Sequence, residues 1–88
     1  MDTKKAYETI RQALDADPRK RVVDSIYDEI NFGNFWISFE ADGQPRSVVN
    51  DRDELVLCRD LRGTVDCVTI LPSLREADEQ TVVRGFDL

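Results

Sequence analysis

Apolar positions change their spacing once along this chain. Over residues 3–15, TKKAYETIRQALD, Tyr7, Ile10 and Leu14 recur at steps of three and four, with Ala6 and Ala13 beside them. That spacing predicts a helix with one thin apolar stripe, and Thr3 is placed to cap it. Asp17-Pro18 then reads as a cap followed by a first helical residue. Val22, Val23, Ile26, Tyr27 and Ile30 follow at i, i+1, i+4, i+5 and i+8, which predicts a second helix over residues 18–31, ended by Gly33.

Beyond Gly33 the period falls to two. Phe35, Ile37 and Phe39 alternate with Trp36, Ser38 and Glu40, a strand over residues 34–40. Asp42-Gly43 is a hairpin turn signal, and residues 45–49 read as the returning strand. A third strand is expected over residues 54–59. A turn at 60–63 and a fourth strand over 64–71 follow it, placing Cys58 opposite Val65 and Val56 opposite Cys67. Ser73-x-x-Glu76 has the spacing of a capping box and predicts a helical turn over 74–79. Residues 80–88 read as a last strand, with Val82, Arg84, Phe86 and Leu88 on one side.

Together these elements predict an α+β fold of one domain over residues 1–88. Two N-terminal helices pack on an antiparallel sheet of four to five strands, a two-layer sandwich with a short helical turn before the last strand. The second helix should lie on the Phe35, Ile37 and Phe39 face. The pattern also poses a problem. A sheet covered on one side should alternate apolar and polar positions. Leu55, Val56, Leu57 and Cys58 are apolar without a break, Trp36 falls opposite Phe35 and Ile37, and the Val65/Cys67 and Val68/Ile70 sets put apolar side chains on both faces. Leaving such side chains in water costs about 1.5–3 kcal/mol each, so something is expected to cover Trp36, Leu55, Val56, Cys58 and Val68: a second copy of the chain, a different protein, or strong sheet curvature that closes the core on itself, with an interface favoured.

Charge sharpens this expectation. The 88 residues carry a net charge of −6, with 6 basic and 7 acidic side chains up to residue 32 and 6 basic and 11 acidic beyond it. The C-terminal part should repel phosphate backbones and anionic lipid and attract a basic protein surface. Arg19, Lys20 and Arg21 form a small cationic cluster without aromatic neighbours, best read as pairing with Asp15, Asp17 and Asp24, so no nucleic-acid partner is expected. No apolar stretch approaches the ~20 residues of a membrane helix. The N-terminal residues lack a secretory apolar core, so no membrane partner and a cytoplasmic location are expected.

Candidate chemistry is sparse. The chain has no histidine, which removes the commonest general base and zinc ligand. Cys58 and Cys67 form no CxxC motif and read as buried apolar residues, unbonded in a cytoplasmic protein. Asp51, Asp53 and Glu54 crowd four positions. They read first as charged shoulders of a strand, then as a Mg²⁺ or Ca²⁺ site or as a contact for a basic partner. No catalytic residue, metal ligand or cofactor is assigned, and the chain is not expected to be an enzyme. The expected function is a small acidic protein-binding module, an inhibitor or an immunity or antitoxin type of protein. It would hold a basic macromolecular partner through Trp36, Glu40, Asp51, Asp53 and Glu54. The alternatives are a homodimer or other homo-oligomeric structural protein and, behind both, a carboxylate-dependent metal enzyme.

Overall fold

The computed structural model describes residues 1–31 and 33–85. One helix, α1 (Thr3–Ala16), is followed by five strands: β1 (Lys20–Asp28), β2 (Asn34–Ala41), β3 (Gln44–Asp51), β4 (Glu54–Cys58) and β5 (Val68–Leu71). A short helix, α2 (Glu79–Arg84), ends the described chain. The strands form one antiparallel sheet in chain order, β1 to β5. The α+β class and the antiparallel sheet agree with the sequence reading. The pair of N-terminal helices does not.

Where a second helix was expected over residues 18–31, residues 20–28 are strand β1 and the flanking residues are turns. Val22, Val23, Ile26 and Ile30 are β-branched and Tyr27 is aromatic, side chains that lose rotamer freedom in a helix and pack well on a pleated surface. The apparent helical stripe comes from a bulge. Val22 pairs with Phe39 and Asp24 with Ser38, so Val23 is the extra residue. The inward positions thereby shift from even to odd numbers, and Ser25 and Tyr27 share the face of Val22. A period-two pattern with one phase slip imitates a spacing of four. Ile26 is left on the opposite face, 57% exposed.

The face expected to receive that second helix is covered by α1 and α2 instead. Ala6, Ile10 and Leu14 of α1 share one core with Phe35, Ile37 and Phe39 of β2, Val48 of β3, Leu55 of β4, Leu74 of the β5–α2 connection and Val82 of α2. Tyr7 sits edge-on to Phe35 with ring centroids 5.5 Å apart, and its hydroxyl donates to Ser25 Oγ at 2.7 Å. The cap of α1 is Asp2, whose carboxylate accepts from the Lys5 N–H at 2.8 Å. Thr3, the expected cap, bonds the Tyr27 hydroxyl at 3.1 Å. Gly33 lies at this junction with φ +67°, and a Cβ there would collide with Thr3 Oγ1.

The C-terminal part also departs from expectation. Ser73 does not start a helix, because its hydroxyl donates to Asp53 at 2.7 Å. Asp78 caps α2 instead, accepting from the Thr81 N–H at 2.8 Å. Residues 80–84, read as strand, are therefore helical, and Phe86 and Leu88 lie outside the described residues. β5 is shorter than the expected 64–71 and shifted in register: Leu57 opposes Val68 and Val56 opposes Thr69. Cys58 and Cys67 are consequently neighbours across the strands, with Cα atoms 4.1 Å apart, and they form a disulfide. The expectation of unbonded thiols is corrected. Among the described residues no helix is long and apolar enough to cross a membrane.

Candidate functional site: the outer face of the sheet

Strand pairing puts one row of side chains straight across the face remote from the helices. Ile26 opposes Trp36, Trp36 opposes Val49, Val49 opposes Val56, and Val56 opposes Thr69. Directly opposed residues share a face and lie within contact distance, so this is one apolar band four strands wide.

Two rows flank the band. On one side Asp24, Ser38, Ser47 and Cys58 oppose one another in turn. Ser38 and Ser47 are buried although they point away from the helices. On the other side Asp28 opposes Asn34, and Asp51 opposes Glu54. An open trough of about 310 Å³ runs between the apolar band and this acidic row, lined by Ile26, Asp28, Asn34, Trp36, Val49 and Asp51.

The loop of residues 59–66 accounts for part of the cover. Its ends are joined by the Cys58–Cys67 bond. Asp60 organises its interior, accepting from the N–H groups of Thr64 at 2.9 Å and Val65 at 3.1 Å. Gly63 adopts φ +76° and lies so close to the sheet that a Cβ would stand 2.9 Å from Val49 Cγ2, 3.6 Å from Ser47 Oγ and 3.7 Å from Trp36 Nε1. Trp36 is therefore half-buried beneath a loop at one edge and open to the trough at the other. The Trp36 indole N–H and the Ser47 hydroxyl have no hydrogen-bond partner among the described residues.

Of Trp36, Leu55, Val56, Cys58 and Val68, all expected to need an outside cover, the chain itself fully covers two. Leu55 is fully buried on the helix side, and Cys58 is fully buried at its disulfide. Trp36 and Val56 are half-buried, and Val68 is 62% exposed. The unbroken apolar run of β4 is explained by its sides: Leu55 and Leu57 face the helices, and Val56 and Cys58 share the outer face with Val49 and Ser47.

The five proposed contact residues do not converge. Trp36 and Asp51 line the trough. Glu54 stands opposite Asp51 and accepts from the Thr69 hydroxyl. Glu40, at the far end of β2, is engaged by Arg21 of β1. Asp53 turns away altogether. It shares with Arg52 a two-residue turn in which both have positive φ, 52° for Arg52 and 81° for Asp53, as a type I′ hairpin requires. From there its carboxylate takes the Ser73 hydroxyl and, at 2.7 Å, the Arg75 N–H. The Ser73 hydrogen bond, with the Arg75 N–H and guanidinium, holds the Asp53 carboxyl below its usual range. Asp53 thus anchors the 72–78 segment to the β3–β4 turn.

Among the described residues no group of three or more His, Cys, Asp and Glu side chains is arranged to hold a metal ion. The cationic cluster is paired locally. Arg19 and Lys20 both meet Asp17, whose carboxyl is thereby held well below its usual range, and Arg21 meets Glu40. Arg11, not the cluster, pairs with Asp15. Asp28, Asp51 and Glu54, by contrast, form no salt bridge among the described residues.

Ile26, Val49 and Asp28 escaped the sequence reading of the site. Ile26 and Asp28 were assigned to a helix, and Val49 was left without a side. The β-branched density of residues 22–30 is the signal that would have placed Ile26 and Asp28, and the register of the two-residue Asp42-Gly43 turn would have set Val49 opposite Trp36. Comparison with protein families, with curated proteins and with solved structures finds no match to this chain.

Proposed function

We propose that this protein is a small acidic binding module. It docks a basic protein partner through the outer sheet face, in the manner of an inhibitor or an immunity or antitoxin protein. One observation carries the reading: the apolar band Ile26–Trp36–Val49–Val56 runs beside Asp28, Asp51 and Glu54, carboxylates that form no salt bridge among the described residues.

An apolar centre with a charged rim is the usual anatomy of a protein interface, and tryptophan is enriched at its hot spots. The rim would steer a basic surface toward the face, and the band would hold it. Trp36, Asp51 and Glu54 remain contact residues in this proposal, joined by Ile26, Val49 and Asp28. Glu40 and Asp53 are paired with Arg21 and Arg75 and are replaced. The role is binding rather than catalysis, and it needs no cofactor and no nucleic acid. The cytoplasm stays the proposed compartment, where a disulfide is ordinarily transient or redox-sensing.

Affinity capture with the wild-type chain, Ile26→Lys and Asp51→Lys/Glu54→Lys tests this. A basic protein retained by the wild type, released by salt and lost from both variants is expected. Equal retention by all three would overturn the proposal. Self-association through the same face is the second reading, since Ile26 and Val68 are exposed there and at the sheet edge. Light scattering after size exclusion separates the two, because a dimer at micromolar concentration that Ile26→Lys dissolves would replace the foreign partner with a second copy.

A further inference from the structure

We propose that the Cys58–Cys67 disulfide is a redox latch that holds the 59–66 loop over the apolar band, so that reduction uncovers the docking face. The inference rests on the docking reading only for its purpose; the latch itself is a property of this chain alone.

Three observations lead to it. First, the bond lies on the outer face, not in the helix-covered core. Cys58 ends the row Ser38–Ser47–Cys58, and Cys67 precedes the edge strand β5. Second, the loop it closes lies on functional residues. Gly63 is packed against Val49 and beside the Trp36 indole, the two central members of the band. Third, the two sulfurs differ in access. Cys58 is fully buried, whereas Cys67 is exposed. A reductant can therefore approach only from the Cys67 side.

The chemistry is ordinary thiol–disulfide exchange with a dithiol reductant. A thiolate of the reductant attacks Cys67 Sγ, forming a mixed disulfide, and Cys58 leaves as a thiolate that takes a proton. The second thiol of the reductant then attacks its own sulfur in the mixed disulfide. Cys67 leaves and is protonated, and the reductant closes to a cyclic disulfide. Two electrons and two protons have passed to the chain. What then holds the loop is the Asp60 hydrogen bonding, the Arg59 N–H to the Val65 carbonyl, and the Gly63 contact. The first two lie within the loop and travel with it. Only the Gly63 contact, of these three, ties it to the sheet.

Trp36 is the sole tryptophan, so its fluorescence reports the latch directly. Acrylamide quenching is measured on the oxidised chain, on the chain in dithiothreitol and on Cys67→Ser, together with amide exchange along the sequence. The expected result is stronger quenching, a red-shifted emission and faster exchange confined to residues 59–67, with β2 and α1 still protected. Unchanged quenching in both reduced forms would overturn the latch. So would loss of protection throughout, which would make the bond a staple for the whole fold. Neither outcome depends on a partner. A latch that opens while Ile26→Lys still retains the captured protein would leave the latch standing and remove the docking reading.

Discussion

Replacing Gly63 by alanine probes whether the 59–66 loop lies on the sheet, and Gly43 supplies an internal control. Both residues hold left-handed backbone, φ +76° and +78° respectively. A side chain in that region costs about 1–2 kcal/mol at either position. The surroundings differ. Nothing lies within 4 Å of a Cβ at Gly43, whereas at Gly63 it would stand 2.9 Å from Val49 Cγ2. Val49 cannot swing aside cheaply. It is β-branched and flanked across the strands by Trp36 and Val56. Relief must come from the loop or the strand, at the ~1–3 kcal/mol typical of overpacking. Gly63→Ala should therefore be less stable than Gly43→Ala by about that amount. Each kcal/mol lowers Tm by about 4–8 °C in a domain of this size. Thermal unfolding followed by Trp36 fluorescence gives both numbers. Adding Val49→Ala to Gly63→Ala should recover much of the difference, a coupling that only direct contact produces. Equal Tm values for the two alanine variants, or strict additivity in the double variant, would refute the placement of the loop.

Other expectations follow from particular residues. Asp2→Ala removes the cap on α1 and should cost about 1 kcal/mol in urea unfolding, with Asp2→Asn close to wild type. Ile37→Ala, at a fully buried position of β2, should cost about 2–5 kcal/mol by the same assay. Arg52→Asn should be neutral or stabilising by chemical denaturation, because Arg52 occupies a left-handed turn position that asparagine accepts more readily. Its N–H bond to Asn34 is a backbone contact and survives the change. Stability should also depend on pH in one direction. Side-chain hydrogen bonds from Asn31 to Asp28, Ser73 to Asp53 and Thr81 to Asp78, each joined by backbone N–H groups, lower these carboxyls from 3.8. A lowered folded-state value means that the stabilisation is complete above the unfolded value and fades as pH falls through the folded one. Denaturation midpoints should hold steady from about pH 7 to 5 and fall below about pH 4. A midpoint that rises on acidification would contradict the assigned hydrogen bonds.

Local signals located the hairpins well. Alternation from Asn34 onward and the Asp42-Gly43 pair identified β2, its turn and β3, because side-chain direction and left-handed tolerance are properties of adjacent residues. The first helix was legible from Ala6, Ile10 and Leu14 for the same reason. β1 was not. Its bulge at Val23 is settled by pairing with β2, and without that pairing the phase slip reads as a helical step. The disulfide hid behind a register error of two residues in the β4–β5 pair, which no local pattern determines. The candidate site was half legible. Parity placed Trp36 on the face opposite Phe35 and Ile37, yet its neighbours in the band sit on three other strands, and only the register brings Ile26, Val49 and Val56 beside it. The cluster Asp51, Asp53, Glu54 was contiguous in sequence but is divided in space, because a two-residue turn sends Asp53 to the opposite side from its neighbours.

The bulge in β1 has a consequence beyond the assignment of that strand. β1 is nine residues long and forms one border of the sheet, and on that border its main chain could template an identical strand from another molecule. Such zippering needs a flat ribbon with a regular repeat. The extra residue at Val23 kinks the ribbon near its middle and throws the two halves out of step, so an incoming strand in register with one half is out of register with the other. A single inserted valine thus guards the border against amyloid-like growth, which leaves the sheet free to carry so apolar a band on its surface.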